Sequence, residues 1–372
     1  MHIGVETTRL VHDRRGIGRY TKAMLQRFAA LDPDIRFTLL AKPTEVGALR
    51  RLVQTMPILA GRATVRTTWS VRWTRFDLFW SPWNYTRHLP RHGPIAVTLH
   101  DIVPLVFRRR PRISLPWRPR TVRRFHTMAA VSDIVLTDSA FIKGEIDRAL
   151  GITAERVRVV YLAADGFVPG DPGKDLDRVR RLGVNGRYLF YAGASERRKN
   201  LDRLVQALAL LRRRDGLDCG LVIAGPDGAE GRIDAQLLAD PAVSGAVHFV
   251  GNVDEETLHA LYRCATVFVM PSLYEGFGLP VLEAMASGTA VVSSSAASLP
   301  EVGGDAALYF DPLDVEEMAG QIARVLRDES LRKQLSERGL QQAARFSWDR
   351  TARETLAAFR ELLDGPRPWR RP

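Results

Sequence analysis

Two glutamates that flank a glycine-rich turn have the residue types and spacing to take part in chemistry. Glu275 and Glu283 lie eight residues apart in EGFGLPVLE, directly after the apolar run VFVMPSLY. We predict a strand over VFVM that ends at Pro271, a loop that carries Glu275, Gly276, Phe277 and Gly278, and a helix that begins near Leu279. Glycine lets a ligand approach the backbone, and the amides of a helix start attract phosphate. The pattern favours a phosphorylated ligand with hydroxyl groups, although both carboxylates also suit a helix N-terminus for stability alone.

A second group of candidates lies in the first half of the chain. His100 and Asp101 follow the predicted strand IAVTL, at the carboxyl end where ligands bind in parallel sheets. A histidine of the core is the alternative. Gly16 and Gly18 follow a strand and a loop and precede a helix, but the sequence around them lacks the rest of a dinucleotide-binding motif. This argues against a nicotinamide cofactor.

The elements that must position these residues alternate along the chain. Short β-branched runs and amphipathic stretches follow one another, which is typical of parallel α/β sheets with helices on both faces. In the second half we predict strands at YLFYAG, LVIAG, VHFVG, VFVM, VVSSS and ALYF, and three helices follow from Asp314 to Leu363. In the first half we predict strands near His2–Val5, Arg36–Leu40, Thr64–Thr67, Leu78–Trp80, Ile95–Leu99, Ile134–Thr137 and Val157–Tyr161.

A stretch rich in Gly, Pro and Asp, from Ala163 to Gly186, interrupts the alternation. It predicts a domain boundary, with an N-terminal Rossmann-like domain over 1–165 and a second over 185–346. Two such domains, their parallel sheets facing each other across a cleft, are the simplest architecture. Ligands then bind in the cleft, at the carboxyl ends of the strands.

Composition restricts the class of protein. The 372 residues are 45% hydrophobic and 26% charged, as in ordinary globular proteins. No apolar stretch approaches 18 residues, and Glu6 and Arg9 break the first apolar segment, so we expect a cytoplasmic protein without a signal peptide. Cys219 and Cys264 form no CxxC pair, and we expect them to be small buried hydrophobic residues.

The block around the two glutamates resembles the signature of retaining glycosyltransferases with the GT-B fold, specifically glycosyltransferase family 4, also called group 1. The resemblance extends over nearly the whole chain, through RRGIGRYT, LHDIVPL, YAGASERRKNLDRLVQAL, LVIAG, VHFVGNV and FSWDRTARETLAAF. The bacterial mannosyltransferase-like members that build O-antigen or exopolysaccharide are the most similar in appearance. The resemblance also implies that a C-terminal helix, at about 347–365, crosses back to the first domain.

The family implies roles for individual residues. Glu275 contacts hydroxyls of the donor sugar, Glu283 the ribose, and Lys199 with Arg198 neutralises the leaving diphosphate. His100 lies beside the transferred sugar. Catalytic roles therefore fall on His100, Glu275 and Lys199, and donor contacts on Gly16, Gly18, Arg198, Lys199, Val253, Glu275, Gly276, Phe277, Gly278, Leu279 and Glu283.

Other features bear on the mechanism that the family implies. The sequence Asp32-Pro33-Asp34 is better explained as a turn than as a metal site, so we expect no metal or other cofactor and charge neutralisation by side chains. Ala194 replaces an arginine that many relatives use on phosphate, which leaves the arginine partner of Lys199 open. The two glutamates do not suit the paired carboxylates of a double displacement. Front-face substitution, in which the leaving phosphate helps to deprotonate the acceptor, is the hypothesis.

The positive charge is concentrated in the first half. Residues 1–186 hold 32 basic and 16 acidic side chains, a net charge of +16, whereas 187–372 hold 22 and 26, a net charge of −4. Eight arginines between Phe107 and Phe125 alternate with apolar residues, and WSVRWTRF adds two tryptophans. This composition suits an anionic membrane surface. A solvated loop and a nucleic-acid surface are the alternatives, and the chain carries no nucleic-acid-binding motif, so we expect no nucleic-acid partner.

Together these features predict a retaining hexosyltransferase that moves a sugar from a nucleotide-diphosphate donor, GDP-mannose being favoured, to a glycan or polyprenyl-linked acceptor. We expect it on the inner face of the membrane as a peripheral protein. A sugar-nucleotide epimerase or phosphorylase of the same fold is one alternative. A non-catalytic basic binding module is the other.

Overall fold

Two parallel sheets, each in its own unit of the chain, organise the structure. The computed structural model describes residues 1–11, 16–106, 119–226 and 233–365. The first unit comprises Met1–Leu162 together with the segment that begins at Ser347, and the second unit comprises Ala163–Phe346. The parallel α/β class predicted from the alternation of strands and helices is confirmed.

The sheet of the first unit has seven parallel strands in the order β3-β2-β1-β4-β5-β6-β7. Its central strands are buried on both faces, as their nearly continuous apolar sequences require. The predicted strands are confirmed, with ends that differ by at most two residues. The strands are β1 His2–Glu6, β2 Arg36–Ala41, β3 Ala63–Thr67, β4 Leu78–Ser81, β5 Ile95–Leu99, β6 Ile134–Thr137 and β7 Val157–Val159.

Helices cover this sheet with their apolar faces. Tyr20, Met24, Leu25 and Phe28 of the first helix are all buried, as their spacing predicts. Ser139 caps the fifth helix, where its hydroxyl oxygen accepts the backbone N–H of the third residue after it. The helices are α1 Gly16–Leu31, α2 Val46–Gln54, α3 Val103–Val106, α4 Pro119–Val131 and α5 Ala140–Leu150.

The sheet of the second unit has six parallel strands in the order β10-β9-β8-β11-β12-β13. Its strands are β8 Tyr188–Ala192, β9 Gly220–Ala224, β10 Val247–Gly251, β11 Val267–Met270, β12 Val291–Ser294 and β13 Ala307–Phe310. Its helices are α6 Pro172–Arg180, α7 Leu201–Arg213, α8 Ala235–Leu238, α9 Glu255–Cys264, α10 Leu279–Ala286, α11 Leu299–Gly303, α12 Val315–Arg327 and α13 Glu329–Ala343.

The order of each sheet contains a switch point, where successive connections leave in opposite directions. It lies between β1 and β4 in the first unit and between β8 and β11 in the second. Loops that follow the two strands at a switch point diverge and leave a crevice at the carboxyl ends, which is where open α/β sheets bind ligands. The segments that follow β8 and β11 are ERRKN and EGFG, so the fold brings the two motifs to one crevice.

The second unit begins earlier than the sequence predicts, at Ala163 rather than at residue 185. The stretch rich in Gly, Pro and Asp contains helix α6, whose cap is Asp171 and whose first residue is Pro172. This helix packs on α9, where Asp175 accepts two hydrogen bonds from Arg263, of 2.6 and 3.1 Å. The composition that indicated a linker is that of a capped helix start.

The final helix, α14 Trp348–Asp364, belongs to the first unit. Its Phe359 ring lies 6.0 Å from that of Phe28 on α1 and 5.8 Å from that of Trp80 on β4. Ion pairs at the edge of this contact join Arg27 to Asp349. The chain therefore closes its first unit with its last helix.

Candidate active site

The EGFG loop connects β11 to α10 in a shape that its glycines allow. Gly278 has φ +113°, a conformation that side chains with a Cβ rarely adopt, and a Cβ there would lie 2.8 Å from Leu299. The buried Ser298 hydroxyl lies 3.0 Å from the carbonyl oxygen of Glu275 and 2.8 Å from that of Phe277, and can donate to either. The loop is therefore held from α11 while its backbone leads into the first turn of α10.

Glu275 is the centre of a buried charge cluster. Its Oε1 accepts from Lys199 Nζ at 2.6 Å, and its Oε2 lies 3.2 Å from Arg198 Nη1. Arg198 also donates to the Tyr274 carbonyl at 3.1 Å and, through Nε, to Glu196 at 2.8 Å. Only 7% of Glu275 and 8% of Lys199 is exposed. Two cations thus face one buried carboxylate.

The cluster shifts the pKa of both buried partners. Burial would raise the pKa of Glu275, but the charges of Lys199 and Arg198, with hydrogen bonds from Lys199 and Ser272, outweigh it and lower this pKa to about 2. Burial lowers the pKa of Lys199 from its ordinary value, and the attraction of Glu275 opposes that shift. An anion that enters the crevice therefore meets cations that are already desolvated.

Asn200, which the sequence analysis did not select, fixes the lysine to the ends of two strands. Its side-chain amide donates to the carbonyl oxygens of Pro271 at 3.0 Å and Pro312 at 2.7 Å. Its φ is +61°, in the left-handed region that asparagine tolerates better than most residues. In the sequence, the position of this asparagine directly after Lys199 was the feature that could have identified it as a site residue.

Glu283 lies on α10 and is buried, 8% exposed. The hydroxyl of Tyr262, a buried residue of α9, donates to its Oε2 at 2.9 Å. Tyr262 was not predicted from the sequence, where it is one apolar-face residue of an amphipathic helix. The contact orients the Glu283 carboxylate.

The other residues predicted around the loop are buried or half-buried. Phe277 is buried, with its ring 5.9 Å from that of Phe346, whereas Gly276 and Leu279 are half-buried. Val253 is half-buried and follows β10. Arg197 is exposed, whereas Arg198 is paired with Glu275.

Glycines bring the ends of β8 and β9 together. A Cβ on Gly225 would lie 2.0 Å from the carbonyl oxygen of Gly193, so no larger residue fits there. The N–H of Gly193 donates to Ala224 at 2.9 Å. Ala194, at the position where many relatives carry arginine, accepts from the Tyr191 hydroxyl through its carbonyl. The sequence left the arginine partner of Lys199 open, and in the structure Arg198 contacts the same Glu275 carboxylate as Lys199.

His100 lies in the first unit, at the carboxyl end of β5, and is buried. Its Nδ1 is 2.7 Å from Asp138 Oδ2, and its Nε2 is 3.1 Å from the carbonyl oxygen of Pro82. Its backbone N–H donates to Asn84 Oδ1 at 2.8 Å. Asp138 and Asn84 follow β6 and β4, and neither was predicted as a site residue because each is distant in sequence.

The sequence predicts that Gly16 and Gly18 precede the helix, but they belong to it. Helix α1 begins at Gly16, so both glycines lie in its first turn. The preceding residues 12–15 are outside the described part of the chain. The first turn of a helix has free backbone N–H groups, as a loop does. The glycines therefore suit either structure, and the local sequence does not distinguish them.

Several further expectations can be compared with the structure. Asp32 Oδ1 accepts from the Asp34 N–H at 3.0 Å, which confirms a turn at Asp32-Pro33-Asp34. Within the described ranges, no group of three His, Cys, Asp or Glu side chains is placed to hold a metal ion. Cys219 is buried as predicted, but Cys264 is only half-buried, because it ends α9 at the surface.

The surface of the first unit is described only in part. Most of the arginine-rich segment, residues 107–118, is outside the described residues. Trp69 and Trp73 are 61% and 72% exposed. Among the helices of the described chain, none combines the length and apolar character that a membrane crossing needs.

Comparison with known proteins identifies relatives along the whole chain. The family described as glycosyl transferases group 1 matches residues 174–342. O-antigen chain mannosyltransferase B of Escherichia coli is 31% identical over 386 aligned residues, covering 97% of this chain and 100% of that protein. MMP alpha-(1->4)-mannosyltransferase of Mycolicibacterium hassiacum is 31% identical over 284 residues, covering 73% of this chain and 66% of that protein.

Solved structures share the fold at lower identity. Sucrose-phosphate synthase from Thermosynechococcus elongatus aligns with a TM-score of 0.76 at 20% identity, over 97% of this chain and 99% of that one. Anabaena HepE in complex with UDP and glucose aligns with a TM-score of 0.72 at 16% identity, over 97% of this chain and 100% of that one. The predicted GT-B fold is confirmed. The chain is a glycosyltransferase and belongs to the glycosyl transferases group 1 family.

Proposed function

We propose that this glycosyltransferase transfers mannose from GDP-mannose, with retention of configuration, to a lipid-linked glycan in O-antigen-type polysaccharide assembly. The observation that carries the proposal is the 31% identity to an O-antigen chain mannosyltransferase along the full length of both proteins. The buried cluster of Lys199, Arg198 and Glu275 supports the chemistry.

Donor binding would rearrange the ion pairs within this cluster, and no further protein side chain would need to be recruited. The diphosphate of the donor takes Lys199 and Arg198 as counter-cations, and Glu275, which pairs with both in the free protein, gains capacity to accept sugar hydroxyls. The backbone of Gly276–Leu279 holds the phosphate at the start of α10. Glu283, oriented by Tyr262, accepts from the ribose.

The leaving step needs stabilisation of negative charge as the bond from the sugar C1 to the phosphate oxygen breaks. Lys199 and Arg198 supply it, and we therefore propose transfer without a metal ion. The phosphate oxygen that departs takes the proton of the acceptor hydroxyl on the same face of the sugar. This front-face route retains the configuration at the sugar C1 and needs no second carboxylate in addition to Glu275.

The surface of the first unit supports our proposals for the acceptor and the location. The exposed Trp69 and Trp73 lie in the chain between the exposed Arg66, Arg72 and Arg75, a combination that suits an anionic lipid surface. We propose a peripheral protein on the cytoplasmic face of the membrane, with a polyprenyl-linked acceptor.

The donor is tested by incubating the protein with GDP-mannose, UDP-glucose or UDP-N-acetylglucosamine and a polyprenyl-diphosphate-linked acceptor, with and without EDTA. We expect an α-mannosylated product from GDP-mannose, undiminished by EDTA. Lys199→Met should lower transfer at least about 100-fold, and Arg197→Met, an exposed cation of the same turn, is the matched control. Transfer from another donor alone, isomerisation without acceptor, or an inverted product contradicts the proposal.

Membrane association is tested separately by co-sedimentation. The double variant Trp69→Ser, Trp73→Ser should bind vesicles of phosphatidylglycerol more weakly than the unaltered protein. Leu313→Ser, which removes an exposed apolar side chain of the second unit, should bind as before. If the unaltered protein fails to pellet with these vesicles at low salt, the membrane proposal is wrong.

A further inference from the structure

The ring of His100 lies between two hydrogen-bond acceptors contributed by different strands. Asp138 Oδ2, after β6, is 2.7 Å from Nδ1, and the carbonyl oxygen of Pro82, after β4, is 3.1 Å from Nε2. His100 is 8% exposed and Asp138 is 2% exposed. The imidazole is therefore clamped at both nitrogens, away from water.

The chemistry of the two partners restricts the protonation state of the ring. A carbonyl oxygen and a carboxylate accept hydrogen bonds, and a neutral imidazole has one N–H to donate. A neutral ring would leave an unprotonated nitrogen facing oxygen lone pairs, at a burial where an unmade hydrogen bond is costly. An imidazolium donates to both.

The other groups around the ring agree with a cation. The ring of Tyr20, on α1, packs in a T-shaped contact with the imidazole, and the two ring centroids are 5.0 Å apart. Burial raises the pKa of Tyr20, so its hydroxyl stays neutral. Asp101 on the same loop adds a second negative charge. Burial would lower that pKa, but Asp138 and the Pro82 carbonyl outweigh it and raise it.

We propose that Asp138 is a positioning residue that holds His100 as a doubly protonated imidazolium, a fixed cation rather than a proton acceptor. The cation ties the ends of β4, β5 and β6 together at the carboxyl edge of the first sheet. The effect of the His100 cation on sugar transfer rests on the proposed function. Because the folded-state pKa of His100 is raised above its ordinary value, the stabilisation by the cation is present below that ordinary value and is lost as the pH rises through the folded-state pKa.

The protonation state is measured by NMR on the full chain labelled with 15N-histidine. At pH 7.5 we expect two ring N–H signals from His100, assigned by their loss in His100→Gln. A single ring N–H with one unprotonated nitrogen overturns the inference. This measurement needs no substrate, so failure to transfer mannose would count against the proposed function and leave this inference in place.

The role of the carboxylate is tested with Asp138→Asn. We expect the titration of the His100 ring, and with it the alkaline limit of kcat/KM, to move to lower pH by about one unit or more. Asp138→Glu should restore both. Asp133→Asn is the matched control. Asp133 precedes β6, the strand that Asp138 follows, and its carboxylate accepts from the Ile95 backbone N–H at 2.7 Å.

Two results would contradict the positioning role. One is an Asp138→Asn variant that keeps both ring protons at pH 7.5 with an unchanged pH profile. The other is an equal shift in Asp133→Asn. If Asp138→Asn does not fold, Asp138→Glu and the spectrum of the unaltered protein still decide between a cationic and a neutral ring.

Discussion

Replacing Glu275 by glutamine keeps the shape of the side chain and removes its charge. Lys199 then stays buried with a neutral partner in place of a carboxylate at 2.6 Å. Breaking a buried ion pair costs about 3 to 5 kcal/mol, and the remaining amide oxygen still accepts one hydrogen bond, so we expect a loss of about 3 kcal/mol at pH 7.5. For a unit of this size, Tm falls by roughly 6 to 12 °C.

The same variant should lose its stability difference in acid. The pKa of Glu275 is lowered to about 2, below its value in an unfolded chain. The carboxylate therefore stabilises the folded state above about pH 4.5, and this contribution is lost as the pH falls towards 2. Differential scanning fluorimetry across this range should show the curves of the two proteins converging.

Catalysis and nucleotide binding should respond in opposite ways. We expect Glu275→Gln to lower transfer at least about 100-fold, because the sugar loses its acceptor. GDP should bind with an unchanged or smaller Kd, since the carboxylate no longer competes for Lys199. Glu196→Gln is the control: its carboxylate pairs with Arg198 at 2.8 Å but is 38% exposed, so we expect less than about 1 kcal/mol. Full transfer by Glu275→Gln, or an unchanged Tm at pH 7.5, would refute this reasoning.

Three further substitutions, one of them with a control in open space, test the support of the site. Asn200→Ala removes two hydrogen bonds at a left-handed position and should cost about 2 kcal/mol or more in urea unfolding; a change below about 0.5 kcal/mol contradicts the anchoring role. Gly225→Ala should weaken GDP binding at least about tenfold in calorimetry, while Gly320→Ala, in open space on α12, should stabilise the chain by about 0.5 to 1 kcal/mol. Tyr262→Phe should raise the KM for the donor about tenfold with kcat unchanged, and the reverse pattern would count against its role on the ribose carboxylate.

The strands were predictable because their signal is local. A run such as IAVTL is apolar and β-branched within five residues, and it forms β5 with the predicted ends. The helix starts were less predictable: the composition around α6 indicated a domain boundary, and Gly16 and Gly18 open a helix that was predicted to begin after them. Glycine and proline have the same local preferences in turns and in the first turn of a helix.

By itself, the sequence determined two parallel α/β halves and the motifs that carry the family, because periodicity and motif spacing are properties of neighbouring residues. Only the tertiary structure decided which charges meet. Lys199 and Glu275 are 76 residues apart, and His100 and Asp138 are 38 apart. Each pair forms because strand order places their loops side by side, and burial then strongly favours the pairing, because a desolvated charge without its partner costs about 3 to 5 kcal/mol.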